Sequence, residues 1–183
     1  MLIIDGVKYN LHVPKDEKEF EGLVKEHYSE IFGENSLYFD IKPELRSEAG
    51  IGSVPDAFVI CLDEPSVYVI EYELGRHPIH DHVVAQISKF NKAFKSSETK
   101  LKLAQAVYNE VSSDPIKKAF VESKVKVKGD LFKFFTDLFL LKKPKVVIII
   151  DEATEELKEA VEDLTFETKI VQFKTFERDG VGL

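Results

Sequence analysis

One cysteine in 183 residues, Cys61, excludes an intramolecular disulfide framework, and its place inside an apolar run fits a reducing compartment. Long apolar runs are missing as well. Runs such as VVIII fall far short of the ~20 residues that a membrane-spanning helix needs. The opening MLIIDGVKYN has an early Asp and no basic lead into an apolar core, so it does not read as a secretory signal. The expectation is a cytoplasmic protein without a membrane partner. There is no Walker glycine loop, no GxSxG and no Cys-His pairing, so the common nucleotide-hydrolase and acyl-transfer motifs have no support.

Positive charge is scarce overall, and the net charge is −8. It is also unevenly spread. Residues 1–84 carry 7 basic and 17 acidic side chains, a balance of −10, and residues 150–183 carry 4 and 10, a balance of −6. Residues 85–149 carry 14 lysines and 6 acids, a balance of +8. That middle segment is either a solvated helical surface or a face for an anionic partner.

What is present reads as one mixed α/β domain over 1–183. Residues 2–13 alternate as a strand or hairpin turning at Asp5-Gly6. Helical spacing of Phe20, Leu23, Val24, His27 and Ile31 predicts a helix over about 16–32, stopped at Gly33. LYFDIKPEL (37–45) reads as a strand, SEAGIGS as a loop, and 56–62 with 66–74 as a hairpin. Helices follow at about 80–95 and 98–112. Another opens at Asp114-Pro115, where Asp suits the N-cap and Pro the first helical position. VKVKGD reads as a strand or a loop ending in a turn. LFKFFTDLFLL (131–141) is a strongly apolar helix, and its default is core burial, with a dimer interface second. PKVVIIID, EATEELKEAVEDL and TKIVQFKTF then spell strand, helix, strand, the grammar of parallel pairing. Residues 98–141 look like a helical insertion.

The hairpin carries the chemistry. A turn at Asp63-Glu64-Pro65-Ser66 would pair Phe58 with Glu71, Ile60 with Val69 and Asp56 with Glu73. Alternation puts Asp56, Glu71 and Glu73 on one face with Phe58, Ile60, Leu62, Val67 and Val69. Ala57, Val59, Tyr68, Ile70 and Tyr72 take the other. Both faces are apolar, so the strands should be central and covered by helices. Three carboxylates within roughly 5–8 Å repel one another unless protons or a cation compensate. A hard divalent cation, Mg²⁺ or Mn²⁺, suits an all-oxygen site. The plainer alternative is three acids exposed at a strand end.

Pro55-Asp56 followed by Glu71-Tyr72-Glu73 on the next strand, a D-x14-ExE pattern, resembles the PD-(D/E)XK nuclease superfamily. The resemblance covers residues 16 to about 95 and implies a restriction-endonuclease-like mixed sheet flanked by helices. It implies that Asp56 and Glu71 bind the catalytic metal and that Glu73 stands where the superfamily usually has Lys. An acid from the preceding helix often joins the metal, which points to Glu21 and, next, Glu19. Gln86-Ile-Ser-Lys-Phe90 is similar to a Gln-x-x-x-Tyr motif of one branch, with Phe for Tyr, and Gln86 would orient a phosphate, water or metal ligand.

Arg76, His77, His80 and His82 follow the acids directly. Their spacing crosses a strand-to-helix junction without cysteine help, which makes structural zinc the weaker reading. Phosphate contacts from Arg76 or His77, a proton-transfer histidine and a plain polar loop stay open. Lys89, Lys92 and Lys95 follow Gln86 and could track a nucleic-acid backbone. The resulting expectation is a metal-dependent nuclease hydrolysing DNA phosphodiester bonds, with a homodimer as an option. The alternative is a catalytically inactive nuclease-fold module that binds nucleic acid or a protein partner. A third reading, weaker again, is an α/β phosphohydrolase or an unrelated metal-binding domain.

Overall fold

The computed structural model describes residues 1–41, 45–46, 52–76, 80–125, 130–162, 164 and 166–178, with backbone alone at 45–46, 52–53 and 80–82. It is a mixed α/β structure. A five-stranded sheet runs in the order β3 (Ser36–Phe39), β6 (Ala57–Cys61), β7 (Ser66–Glu73), β8 (Lys145–Ile150), β9 (Thr168–Gln172). The first three strands pair antiparallel, and β7, β8 and β9 pair parallel. The Val/Ile run of β8 and the apolar Val67–Ile70 stretch of β7 fit their burial on both faces.

One face of the sheet carries Phe58, Ile60, Val67, Val69, Val146 and Ile148. It packs against α3 (His80–Ala93), α4 (Ser97–Ser113), α6 (Leu131–Leu141) and α7 (Glu155–Glu162), through Ile87 and Phe90, Leu103 and Val107, Phe135 and Phe139, and Leu157. The other face carries Ala57, Val59, Ile70, Tyr72, Val147 and Ile149. It meets Phe20 and Val24 of α1 (Glu17–Glu26), with Ile31 and Phe32 of α2 (Tyr28–Phe32) beside them. The face assignment read from the alternation therefore holds. The apolar 131–141 helix is a core helix, burying Leu131, Phe135, Leu138 and Phe139.

Several details differ from the sequence reading. The hairpin register is shifted by two, pairing Ala57 with Ile70, Phe58 with Val69 and Ile60 with Val67. The loop is Leu62–Pro65, one residue earlier than the turn chemistry suggests, because Leu62 turns inward and is buried. The helix expected over 16–32 breaks at His27, whose φ/ψ of −117°/18° is non-helical, into α1 and α2. Strand 37–45 ends at Phe39, and Leu45–Arg46 forms β4, a two-residue partner of β5 (Gly52–Ser53). TKIVQFKTF is two strands rather than one. β9 stays in the large sheet, while β10 (Thr175–Arg178) pairs with β2 (Val7–His12), itself paired with β1 (Leu2–Ile4). The β1–β2 turn has positive φ at Asp5 and Gly6, as an Asp-Gly hairpin requires.

Between α3 and β8 lies the segment read as an insertion. Its helices α4, α5 (Pro115–Lys124) and α6 bury Val107, Val121 and Phe135 in the main core. Asp114 caps α5 as expected, accepting from the Ile116 and Lys117 amides at 2.9 and 3.1 Å. Among the described residues, no helix is long and apolar enough to cross a membrane.

Candidate functional site

The site sits at the end of the β6–β7 pair. The ladder stops at Ala57–Ile70, and Asp56 is the next residue outward. Its side chain then takes over the partner's role. The Tyr72 amide donates to Asp56 Oδ2 at 3.0 Å. Extending the register sets Asp56 opposite Glu71, not Glu73 as the expected pairing had it. A shift of two leaves every face unchanged, so the acids still share a side.

Glu71 lies on the sheet's α3 side at 1% exposure. Gln86 of α3 donates from Nε2 to Glu71 Oε2 at 2.9 Å. The other oxygen, Oε1, is buried without a hydrogen-bond partner. Burial, reinforced by the nearby Asp56 and Glu73 carboxylates, pushes the Glu71 carboxyl up to about 9. At neutral pH it holds a proton, because desolvation and like charge both penalise the anion. Glu73, two residues on, is buried at 5% exposure.

The opposite side holds a feature that composition did not signal. The Tyr72 hydroxyl donates to the Tyr38 hydroxyl at 3.1 Å in a buried pair. Burial pushes Tyr38 up to about 12 and Tyr72 higher still, and the charges of Glu21 and Asp56 raise both. Glu21, on α1, thus lies near the tyrosine pair, with Asp56 acting on both sides of the sheet. The only sequence hint was Tyr72 between the two glutamates, which alternation turns to the α1 face.

Glu19, the second choice for a helix-borne ligand, is part of the α1 start. Asp16 Oδ1 accepts from the Glu19 amide at 2.9 Å, and Glu19 Oε2 accepts from the Lys15 amide at 2.8 Å. This reciprocal arrangement resembles a capping box. Arg76 is also engaged. Its two terminal nitrogens donate to the Pro14 and Lys15 carbonyls at 2.9 and 2.5 Å, tying the end of β7 to the approach of α1. Beside it, the Gly75 amide donates to Asp151 Oδ1 at 2.7 Å. A Cβ on Gly75 would stand 2.6 Å from the Glu152 carbonyl, so the β7 and β8 ends approach this closely only through glycine.

Phe90, read as the aromatic of the Gln-x-x-x-Tyr resemblance, is fully buried in the core. Lys89 and Lys92 are exposed on α3. His77 lies outside the described residues, as do the side chains of His80 and His82, so the zinc reading lies outside them too.

Oxygen donors, one of them a buried carboxyl oxygen without a partner, suit a hard cation in kind. Among the described residues, however, no three His, Cys, Asp or Glu side chains form a group placed to hold an ion. Glu71 is compensated by its proton instead. No protein-family model, curated protein or solved structure matches this chain.

Proposed function

We propose that the protein is a metal-dependent phosphodiesterase of the PD-(D/E)XK type, acting on DNA, with Asp56, Glu71 and Glu73 as its acidic centre. The observation that carries this reading is Glu71, an acid buried at a sheet end, held by Gln86, flanked by two further acids and left with one oxygen unpartnered. A core position has no packing reason to keep such a group. The mixed sheet flanked by helices, with an antiparallel hairpin continued by parallel β8, is compatible with a restriction-endonuclease-like fold.

Asp56 and Glu71 would hold Mg²⁺ or Mn²⁺ on the α3 side of the sheet. Bound there, the ion would polarise the scissile phosphate and acidify a water. The chain's own groups set the conditions. The Tyr72 amide fixes Asp56, and Gln86 fixes Glu71 while donating to it. Glu71 would give up its proton on holding a cation. Glu73, in the usual Lys position, is the base available to take a proton from the attacking water.

The test is cutting of plasmid and single-stranded DNA with Mg²⁺ or Mn²⁺, beside Asp56→Ala and Glu71→Ala. Both substitutions should reduce cutting to background. Activity that persists in both removes the assignment.

A non-catalytic module is the second reading, and Glu73 in the usual Lys position and the net charge of −8 favour it. Binding of DNA without turnover, unchanged by Mg²⁺ or by Glu73→Lys, would select it.

A further inference from the structure

Among the lysines behind the +8 balance of residues 85–149, the fold separates two sets in space. Lys102, Lys117, Lys118 and Lys133 pair with Glu98, Glu110, Glu122 and Asp137 on the surfaces of their own helices or the next one. Lys145 pairs with Glu167. A second set gathers around one concavity of about 450 Å³, formed where the ends of α3 and α6 meet the start of α4. Lys95, Lys100, Lys142 and Lys143 line it, with Phe94 and Phe166 beneath. Among the described residues, no acidic side chain lines it.

Ordinary helix electrostatics accounts for only part of this set. Lys142 and Lys143 follow the C-terminus of α6, where a cation is favoured. Lys100 is the opposite case. It lies in the first turn of α4, the end that repels cations, and its Nζ leans 3.5 Å to the Leu140 carbonyl of α6. Lys143 is placed over the Phe166 ring at 5.4 Å. Lys95 follows α3 and is exposed, as are Lys142 and Lys143. Four lysine side chains gathered around one concavity, over an apolar floor, form a surface complementary to an anionic polymer.

The cleft also lies at the other end of the sheet from the acids. Lys145 opens β8 beside Tyr68, three residues before Glu71, which is roughly 10 Å at strand rise. Lys142 and Lys143 precede it. A polymer bound there is kept clear of the repulsive acidic end while its next few units extend towards it.

We propose that this lysine-rimmed concavity binds the phosphate backbone of a nucleic acid. The proposal rests on the phosphodiesterase reading for the choice of polymer, and the two can fail separately.

The experiment is fluorescence anisotropy of labelled single- and double-stranded 30-mers, without divalent metal, across a salt series. The protein carries Lys95→Gln, Lys142→Gln and Lys143→Gln together. The control carries Lys102→Gln, Lys118→Gln and Lys133→Gln, an equal loss of charge on paired lysines. The first triple should weaken binding at least tenfold and lower the slope of log K against log salt by about 2 to 3. The control should leave the slope nearly unchanged. Equal effects from both triples, or no DNA binding by the wild type, overturn the proposal. So does ATP binding that needs these lysines while DNA binding does not, because the cleft is then a nucleotide site. If the wild type cuts DNA but the first triple binds normally, the cleft fails and the acidic centre stands. If the triple weakens binding but the wild type never cuts with Mg²⁺ or Mn²⁺, the cleft stands and the phosphodiesterase fails.

Discussion

Gln86 holds one oxygen of Glu71 at 2.9 Å, and the second oxygen of the same carboxyl is buried without a partner. The two residues come from α3 and from the central strand β7, and a proton completes their arrangement.

That proton makes stability fall as pH rises. The folded Glu71 carboxyl sits at about 9 against an ordinary 4.5. Between those values the unfolded chain has released the proton and the folded chain has kept it, so the group's contribution declines across that window. It is fully present below about 4.5 and levels off above about 9. Glu71→Gln keeps an acceptor for Gln86 and has no proton to lose. It should stabilise the fold at pH 8 by on the order of 2 kcal/mol and flatten the pH dependence. Urea denaturation at pH 5 and pH 8 measures both effects. A gain that is the same at the two pH values would refute the protonated state.

Cation binding should show the same linkage. If Mn²⁺ displaces the Glu71 proton, its affinity should rise by roughly tenfold per pH unit between pH 6 and 8. Calorimetry in two buffers of different ionisation enthalpy would register about one proton released. Glu71→Gln should abolish the pH dependence.

Gln86→Ala removes a side-chain donor from a buried carboxyl. The expected cost is about 1–3 kcal/mol, read as a lower denaturation midpoint. Gln86→Leu, of similar size, should cost as much, because the loss is of the donor rather than of volume.

Two glycines should behave in opposite ways. Gly75→Ala places a Cβ 2.6 Å from the Glu152 carbonyl and should destabilise by about 1–3 kcal/mol. Gly22 lies within α1 with nothing within 4 Å of a Cβ. Gly22→Ala should stabilise by about 0.5–1 kcal/mol. Thermal unfolding of the two variants side by side tests the pair.

The acidic face was legible because alternation along a strand tolerates an even error. The hairpin register was misjudged by two, and Asp56 still came out beside Glu71. An error of one would have sent it to the tyrosine side. Capping chemistry was equally direct, since Asp114 and Pro115 name a helix start by themselves. The break at His27 was hidden because neither Gly nor Pro marks it. The split between β9 and β10 was hidden for the same reason, as alternation runs through Phe173 and Lys174 unbroken. The Gln86 hydrogen bond, the Arg76 tie to Pro14 and Lys15, and the tyrosine pair join segments far apart in the chain. Local pattern carries no information about such contacts. Segment charge pointed to a basic region, and only the folded helices brought four of its lysines around one cleft.

The pairing of β10 with β2 has a consequence for synthesis. The β1–β2 hairpin is synthesised before every strand of the five-stranded sheet, and its partner β10 only after all of them. The free edge of β2 (Val7–His12), beside Leu2, Ile3 and Ile4, which are substantially exposed even in the finished fold, must therefore wait unpaired while that whole sheet is made. A nascent chain stalled before Thr175 should be the species most prone to stick to its neighbours or to recruit a chaperone.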